Sequence, residues 1–378
     1  MEFGWSEAEL AFRDELRAFI RDNLPEGWIS RVPGEEPYSE ITVEFCRGLG
    51  AKGWLAPHWP RDYGGGGDTS PWRFTILSEE LWAHGEPRGS QYMNTNWIGP
   101  AIIAAGTDDQ KQRFLPPIAA GEALWCQGFS EPGAGSDLGA MATTAVRDGD
   151  HYVINGEKIW TSYAGGSHHC FLLARTGSPN AEGEGVTIFL LPMSTPGVSV
   201  EPIPSMLDIH VIHHLRFDNA RVSVADRLGP EGGGWPVVRE ALVNERVGAP
   251  RHMRAARVLD EVVQAAAAAG RLDAAGLRAA GEARAVCLAA RGLVHKVREM
   301  GAKGDPGALA YVARAAVVQA ERAVAEVAAD LAGPGDLVSG ALTDGEFRTA
   351  LIAGLGGGSY EMQLNLTARL WLKLPKAA

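Results

Sequence analysis

The stretch of this chain best suited to do chemistry is residues 125–137, which read WCQGFSEPGAGSD. Pro132, Gly133 and Gly135 disfavour regular structure and leave backbone N–H groups free. Ser130, Ser136 and Asp137 add small polar groups beside them. Such a loop can lie flat against a planar, hydrogen-bonding ligand or hold a phosphate. The alternative is an ordinary turn whose Ser and Asp side chains bind their own backbone, and composition alone favours that alternative.

The residues themselves resemble a known pattern. Residues 128–140 (GFSEPGAGSDLGA) resemble, position for position, a signature of the acyl-CoA dehydrogenase family, and residues 155–162 (NGEKIWTS) are similar to the family's second flavin-contacting segment. The resemblance runs from residues 12–17 (FRDELR) to the last helix. The family removes a proton and a hydride from adjacent carbons of an acyl-CoA thioester. The resemblance therefore implies an enzyme with FAD as hydride acceptor and a carboxylate as general base.

The same resemblance implies roles for five polar or aromatic residues. Gln127 and Ser130 would contact the pyrimidine side of the flavin ring, and Trp160 and Ser162 would flank the ring near N5. Ser136 would hold the pantetheine arm of CoA. Without the resemblance, Trp160 would more often be a core aromatic beside a hairpin.

The general base departs from the commonest family pattern. Straight-chain members carry it near the C-terminus, where residues 356–365 (GGGSYEMQLN) put Gly357 at the base position, and glycine cannot accept a proton. Glu361 resembles a non-catalytic position. The base position of branched-chain members, on the helix after the β domain, matches Glu245. We therefore expect Glu245 to be the base and Arg246 to contact substrate or fix a neighbouring helix; the alternative is a solvated ion pair.

Half of the expected flavin site is missing. In homo-oligomeric members, a neighbouring subunit holds the FAD pyrophosphate through an Arg-x-x-Phe-Gly-like turn and a glycine-rich loop. Here residues 270–278 (GRLDAAGLR) lack the Phe-Gly turn, and residues 328–336 (AADLAGPGD) place Pro334 and Asp336 where a phosphate would lie. An acidic residue repels a phosphate, whereas arginine and backbone N–H groups attract it.

This loss favours a heteromer. The family includes α2β2 members with fewer FADs than subunits, among them enzymes of bacterial steroid side-chain breakdown. We expect this chain to supply the catalytic half-site for a branched or bulky acyl-CoA, a paralogous partner to lend the phosphate-binding half, and an electron-transfer flavoprotein to take the electrons. The alternatives are a non-catalytic scaffold paralogue, and a flavin oxidase or monooxygenase of the same fold.

Composition excludes several other classes. A net charge of −11 with interspersed signs argues against a nucleic-acid binder. Four cysteines without CxxC spacing indicate a reducing compartment. The first residues lack the basic and apolar regions of a secretory signal, and no run reaches the ~20 apolar residues of a spanning helix. We expect a cytoplasmic protein. His210, His213 and His214 flank strands, and we expect no metal site there.

The pattern of the chain predicts an α+β multidomain fold. Residues 1–120 form an N-terminal helical domain, residues 121–229 a β-barrel or sandwich with the flavin and acyl-CoA site, and residues 230–378 a four-helix bundle. The last helix is expected over residues 346–372. The helical parts follow from a 3.6-residue apolar period, and the middle from short β-forming runs between turn signals.

Three local expectations follow. Residues 151–156 form a strand that runs into an Asn-Gly hairpin turn. Residues 235–270 form one long helix, which Pro250 interrupts and kinks because proline lacks an N–H group. Glu79 and Glu80 lie on the surface of their helix.

Overall fold

The computed structural model shows an N-terminal helical region, a middle sheet and C-terminal helices, which confirms the predicted fold class. The described chain divides into two compact units, whereas the predicted boundaries at 120/121 and 229/230 stay predictions. One unit takes in Met1–Glu35, Thr69–Pro87 and Arg246–Ala378, and the other Glu36–Asp68 and Arg88–Glu245. The structure describes residues 5–25, 28, 39–68, 70–177, 185–207, 211–304, 307–333 and 342–375.

The helices and strands alternate in three runs along the chain. The first run of helices is α1 (Glu7–Asn23), α2 (Glu40–Ala51), α3 (Pro71–Ala83), α4 (Gln91–Met93), α5 (Gly99–Ala105) and α6 (Asp108–Ala119). The strands are β1 (Trp125–Gly128), β2 (Thr144–Asp148), β3 (His151–Ser162), β4 (His169–Arg175), β5 (Val186–Pro192), β6 (Val198–Pro202), β7 (Ile212–Ser223) and β8 (Arg227–Leu228). The last helices are α7 (Gly234–Gly248), α8 (Arg251–Ala268), α9 (Ala274–Ala302), α10 (Leu309–Leu331), α11 (Leu342–Ala353) and α12 (Tyr360–Leu366).

The eight strands form one sheet in the order β6-β7-β3-β2-β4-β5-β8, and β1 pairs with β4 in parallel. Side chains from both halves of the sheet meet in a single buried cluster, in which the rings of Tyr152 and Phe189 lie 4.9 Å apart. The opposite face, including Phe171 and Leu190, packs in a second cluster with Trp97 of the helical part of that unit. Strands β1, β4 and β5 are therefore covered on both faces, whereas one face of β2, β6 and β7 carries exposed residues.

The Asn-Gly pair of β3 is not a hairpin turn, contrary to the prediction. The turn between β2 and β3 lies at Gly149 and Asp150, and β3 continues to Ser162. The register of β3 against β7 shifts between Ile154 and Gly156 instead. Gly156 has φ +140°, and a Cβ there would lie 2.7 Å from Thr143 Cα, so the glycine permits a bulge where the strand bends.

The C-terminal helices pack as a bundle with an alanine-rich core, as predicted. Ala255, Ala283, Ala290 and Ala313 are all buried in it, and such small side chains let helix axes approach closely. No helix in the described part of the chain has the length and apolar character that crossing a bilayer requires.

Two of the predicted long helices are in fact broken. Around Pro250, α7 ends at Gly248 and α8 begins at Arg251, so the proline separates two helices rather than kinking one. The predicted last helix is divided by residues 354–358, in which Gly357 has a left-handed φ of 70°. Arg314 of α10 donates to the carbonyls of Ala353 (2.6 Å) and Gly356 (2.9 Å) and so fixes this loop.

Glu79 and Glu80 are buried, with 4% and 8% of their surface exposed, so their predicted position on the helix surface is wrong. Glu79 accepts hydrogen bonds from Arg291 and His295 of α9, and Glu80 accepts two from Arg17 of α1. Both carboxylates are therefore paired, which is the condition for burying a charge.

Candidate functional site

The two segments with predicted flavin contacts lie side by side in the structure. β1 ends at Gly128 and leads into the signature loop, residues 129–142, which runs back to β2. The backbone N–H of Ile159 in β3 donates to the carbonyl of Ser130 at 2.9 Å. This bond places Ser130 beside the stretch of β3 that carries Trp160, although 30 residues separate the two in sequence.

A bulge in β3 turns Trp160 outward. Lys158 pairs with Leu215 and Thr161 with His213, so β3 has one more residue than β7 between these pairs. Trp160 takes a left-handed φ of 59°, which costs a residue with a Cβ roughly 1–2 kcal/mol. Its side chain is 60% exposed, so it is not a core aromatic of the unit. An exposed indole held in a strained conformation is typical of a ligand-facing residue.

Gln127 and Ser162 lie on different strands of the sheet. Gln127 is half-buried in β1, and its side-chain oxygen accepts a hydrogen bond of 2.8 Å from the indole N–H of Trp97. Its amide N–H₂ donors are thereby oriented away from Trp97. Ser162 is the last residue of β3 and pairs with Ile212. The hydrogen bond from Trp97 and the pairing with Ile212 fix these two residues, and their contacts with a flavin stay predictions.

The tip of the signature loop is open. Ser136 is exposed, and a Cβ added at Gly133 or Gly135 would meet no atom within 4 Å. Asp137 binds its own backbone, because its carboxylate accepts from the N–H of Gly139 at 3.1 Å. Ser136 is therefore accessible from solvent, and its contact with the pantetheine arm of CoA stays a prediction.

A buried ion pair ties the loop to β3, and sequence reasoning missed it. The ammonium of Lys158 donates to the carbonyl of Phe129 (3.0 Å) and to the carboxylate of Glu131 (2.7 Å). Glu131 also accepts from the backbone N–H groups of Ala142 (2.5 Å) and Thr143 (3.0 Å). The signal available was a lysine at an inward-facing position of an apolar strand, together with a glutamate inside the signature.

Both members of this pair have shifted pKa values. Burial by itself would raise the pKa of the Glu131 carboxyl, but the charge of Lys158 and the backbone donors outweigh it and lower the pKa. Burial lowers the pKa of the Lys158 ammonium, and the nearby Glu131 only partly offsets that effect. Both shifts follow from an ion pair that is almost completely removed from water.

Glu245 lies on α7 in the same unit as the sheet. Val238 and Ala241 of this helix are buried in the cluster that contains Trp125 and Phe129. Glu245 follows Val238 by seven residues and Ala241 by four, so all three share one face of the helix. Its side chain is half-buried on the face of α7 that packs toward the strand leading into the signature loop.

Arg246 belongs to the other unit, where its guanidinium lies over the ring of Tyr311 in α10, 4.8 Å from the ring centroid. This contact corresponds to the second of its two predicted roles, the fixing of a neighbouring helix. Contact with substrate stays a prediction.

The region predicted to lack a phosphate site is a connection between helices. Gly270, with φ 65°, follows α8, and Asp273 caps α9 by accepting from the N–H of Gly276 at 2.8 Å. Arg271 lies against Gly333 at the end of α10. Pro334 and Asp336 lie outside the described residues.

The histidine pattern shows ordinary partners where it is described. His214 lies 2.6 Å from the carboxylate of Glu157, and His213 is buried. His210 lies outside the described residues. Among the residues that the structure describes, no group of three or more His, Cys, Asp and Glu is placed to hold a metal.

Comparison with known proteins finds one family. The family models described as acyl-CoA dehydrogenase N-terminal domain and middle domain match residues 6–122 and 126–220. A curated relative, acyl-CoA dehydrogenase IpdE1 of Mycobacterium tuberculosis, is 38% identical over 240 residues, which cover 62% of this chain and 62% of that protein. The chain thus spans less than two thirds of the length of such relatives.

Two solved structures cover the whole chain. The structure described as Tcur3481-Tcur3483 steroid ACAD is 29% identical with a TM-score of 0.92, and the coverage is 100% of both chains. The ChsE4-ChsE5 complex from Mycobacterium tuberculosis is 28% identical with a TM-score of 0.85, again over 100% of both chains.

Proposed function

Since the chain belongs to the acyl-CoA dehydrogenase family, we propose that it catalyses the α,β-dehydrogenation of an acyl-CoA with FAD as cofactor. The observation that carries this proposal is the bulge of β3, which presents the exposed Trp160 beside Ser130 of the signature loop. A strained, outward indole beside the signature loop fits a flat, hydrogen-bonding ring. Bound FAD supplies the hydride acceptor of the reaction.

The residues of this chain bind and orient the reactants. Gln127 and Ser130 would hold the polar edge of the flavin ring, and Trp160 and Ser162 would flank it. Ser136, at the open tip of the loop, holds the pantetheine arm. Such contacts would orient the acyl-CoA, and positioning of this kind accounts for a large part of enzymatic rate enhancement.

Glu245 is the proposed general base. Its carboxylate takes the proton from the α-carbon, whose acidity increases when donors bind the thioester carbonyl. The proposal is supported by its half-buried place on the face of α7 that carries Val238 and Ala241 into the core. Gly357, at the alternative base position, has no side chain that could accept a proton.

We propose a branched or bulky acyl group and a heteromeric assembly. Supporting observations are the loss of both phosphate-binding motifs and the likeness to a structure described as a steroid ACAD and to a two-protein complex. A paralogous subunit would lend the missing half of the flavin site, and an electron-transfer flavoprotein would accept the electrons.

The test is anaerobic reduction of the flavin by acyl-CoAs. The chain is co-purified with a paralogue that has an intact Arg/Phe-Gly turn, and its flavin content is measured. We expect flavin bleaching by branched or steroid-type acyl-CoAs, and Glu245→Gln should retain flavin and lose bleaching. Glu240→Gln, an exposed carboxylate on the same helix, is the matched control.

Three outcomes would contradict parts of this proposal. A yellow homotetramer with one FAD per chain refutes the heteromer. Normal bleaching by Glu245→Gln refutes the base assignment. A flavin-containing complex that no acyl-CoA bleaches supports the scaffold alternative, and O₂ consumption with substrate identifies an oxidase.

A further inference from the structure

Hydrogen bonds from β3 hold Ser130 of the signature loop and the residues directly before and after it. The Lys158 ammonium reaches the carbonyl of Phe129, one residue before Ser130, and the carboxylate of Glu131, one residue after it. The N–H of Ile159 binds the carbonyl of Ser130 itself. Three consecutive residues of the loop are therefore held by two consecutive residues of the strand.

The same carboxylate closes the loop at its other end. Glu131 accepts from the N–H groups of Ala142 and Thr143, which are 11 and 12 residues away in the chain. Arg175 of β4 adds bonds to the carbonyls of Gly139 (2.6 Å) and Met141 (3.3 Å). The loop is thus fixed at its base, while its tip around Ser136 stays open.

The ion pair lies almost completely away from water, since the exposed fraction is 0% for the Lys158 side chain and 5% for that of Glu131. A buried ion pair often contributes no more stability than well-packed apolar residues of the same volume. What distinguishes the pair is the set of groups that it connects. The ammonium donates to two oxygen atoms of the loop, and the carboxylate also accepts from two backbone N–H groups.

We propose that Lys158 and Glu131 are positioning residues, which set Ser130 and the bulge at Trp160 in the relative placement that a flavin ring requires. This inference rests on the proposed function. Trp160 follows Lys158 by two residues, and its left-handed backbone lies between the pairs Lys158–Leu215 and Thr161–His213 of β3 and β7. Lys158 and the N–H of Ile159 link the N-terminal side of this bulge to the signature loop.

Two single variants and their combination test the role in the full chain with its partner. Lys158→Met leaves a buried carboxylate without its counter-ion, and Glu131→Gln leaves a buried ammonium, so both lower the melting temperature. The double variant removes both charges and should recover most of the lost melting temperature. If the ion pair only stabilised the fold, the double variant would also recover flavin binding.

The positioning role predicts that function does not recover. We expect all three variants, including the thermally restored double variant, to bind FAD about tenfold or more weakly, because a charge-assisted bond has been lost. Hydrogen exchange at the amides of Ala142, Thr143 and Ile159 should become faster than in the wild-type chain. Wild-type flavin affinity and unchanged exchange in the double variant would overturn the inference.

Gln110→Leu is the matched control for loss of stability alone. Gln110 is buried in the same unit and donates to the carbonyls of Ala225 (2.7 Å) and Arg227 (2.9 Å), away from the signature loop. It should lower the melting temperature and leave flavin affinity unchanged. An equal loss of flavin in Gln110→Leu would overturn the specific role of the pair.

The exchange measurement separates this inference from the proposed function, because it needs neither flavin nor substrate. A wild-type complex that binds no FAD refutes the proposed function. Even then, faster hydrogen exchange at the same three amides in the variants would show that the ion pair fixes the loop to the strand.

Discussion

Replacing Glu79 by glutamine tests whether a buried carboxylate stabilises the helical unit. Glu79 in α3 is 4% exposed and accepts two hydrogen bonds from Arg291, at 2.8 and 2.7 Å, and one from His295 at 2.6 Å. The substitution keeps the size of the side chain and removes its charge. Arg291 and His295 then lose the anionic acceptor of their buried hydrogen bonds.

The magnitude follows from the pKa of the carboxyl. Burial by itself would raise this pKa, but the hydrogen bonds from His295 and Arg291 lower it from 4.5 to about 2. That difference corresponds to about 3 kcal/mol of stability at neutral pH. Because the pKa is depressed in the folded state, this contribution is complete above pH 4.5 and is lost as the pH falls toward 2.

We expect Glu79→Gln to lower the free energy of unfolding by about 3–5 kcal/mol at pH 7. Glu80→Gln is the matched control on the same helix, because its partner Arg17 is 50% exposed, and the expected loss is about 1 kcal/mol. Urea unfolding is followed by tryptophan fluorescence, to which Trp5 and Trp72 contribute from this region, with ring centroids 5.4 and 5.8 Å from that of His295.

The pH series provides the sharper test. Between pH 4.5 and 2 the wild-type chain should lose stability faster than Glu79→Gln, so that the two curves converge. Parallel curves over this range, or a loss below about 1 kcal/mol at pH 7, would refute the reasoning about Glu79.

Three further perturbations have expected outcomes. Gly156→Ala should lower stability by about 1–3 kcal/mol in thermal unfolding, because its Cβ would lie 2.7 Å from Thr143 Cα; an unchanged melting temperature would contradict the bulge. His252→Leu should flatten the pH dependence of stability between 6.5 and 4, because burial lowers the pKa of His252 to about 4 and only the unfolded state binds the proton in this range. Trp160→Gly should change stability by no more than about 1 kcal/mol, since it relieves a left-handed residue, yet weaken flavin binding; a loss of several kcal/mol would identify a core residue.

Short-range signals in the sequence predicted local structure well. The spacing of Ser6 and Glu9 is that of a capping box, and the two residues form one at the start of α1, with bonds of 2.8 and 3.4 Å. The middle part is built from short strands, as its β-forming runs between turn signals predict. These features depend on interactions within a few residues, so the local sequence contains the necessary information.

Long-range partners account for the wrong predictions. The Asn155-Gly156 pair favours a turn locally, but the pairing of β3 with β7 on one side and β2 on the other continues the strand through it. The local sequence predicts that Glu79 lies on the surface. It is buried because it pairs with Arg291 and His295, which lie more than 200 residues later in the chain. The balance between burial and pairing depends on residues that are distant in sequence.

The sequence by itself determined the family, the order of helices and strands, and the candidates Gln127, Ser130, Trp160 and Glu245, because those rest on residue identity and local spacing. Only the tertiary structure showed that a left-handed bulge turns Trp160 outward and that Lys158 and Glu131 hold the loop beside it. The physical reason is that strand register and buried ion pairs are fixed by contacts between distant segments, and their energies cannot be read from either segment alone.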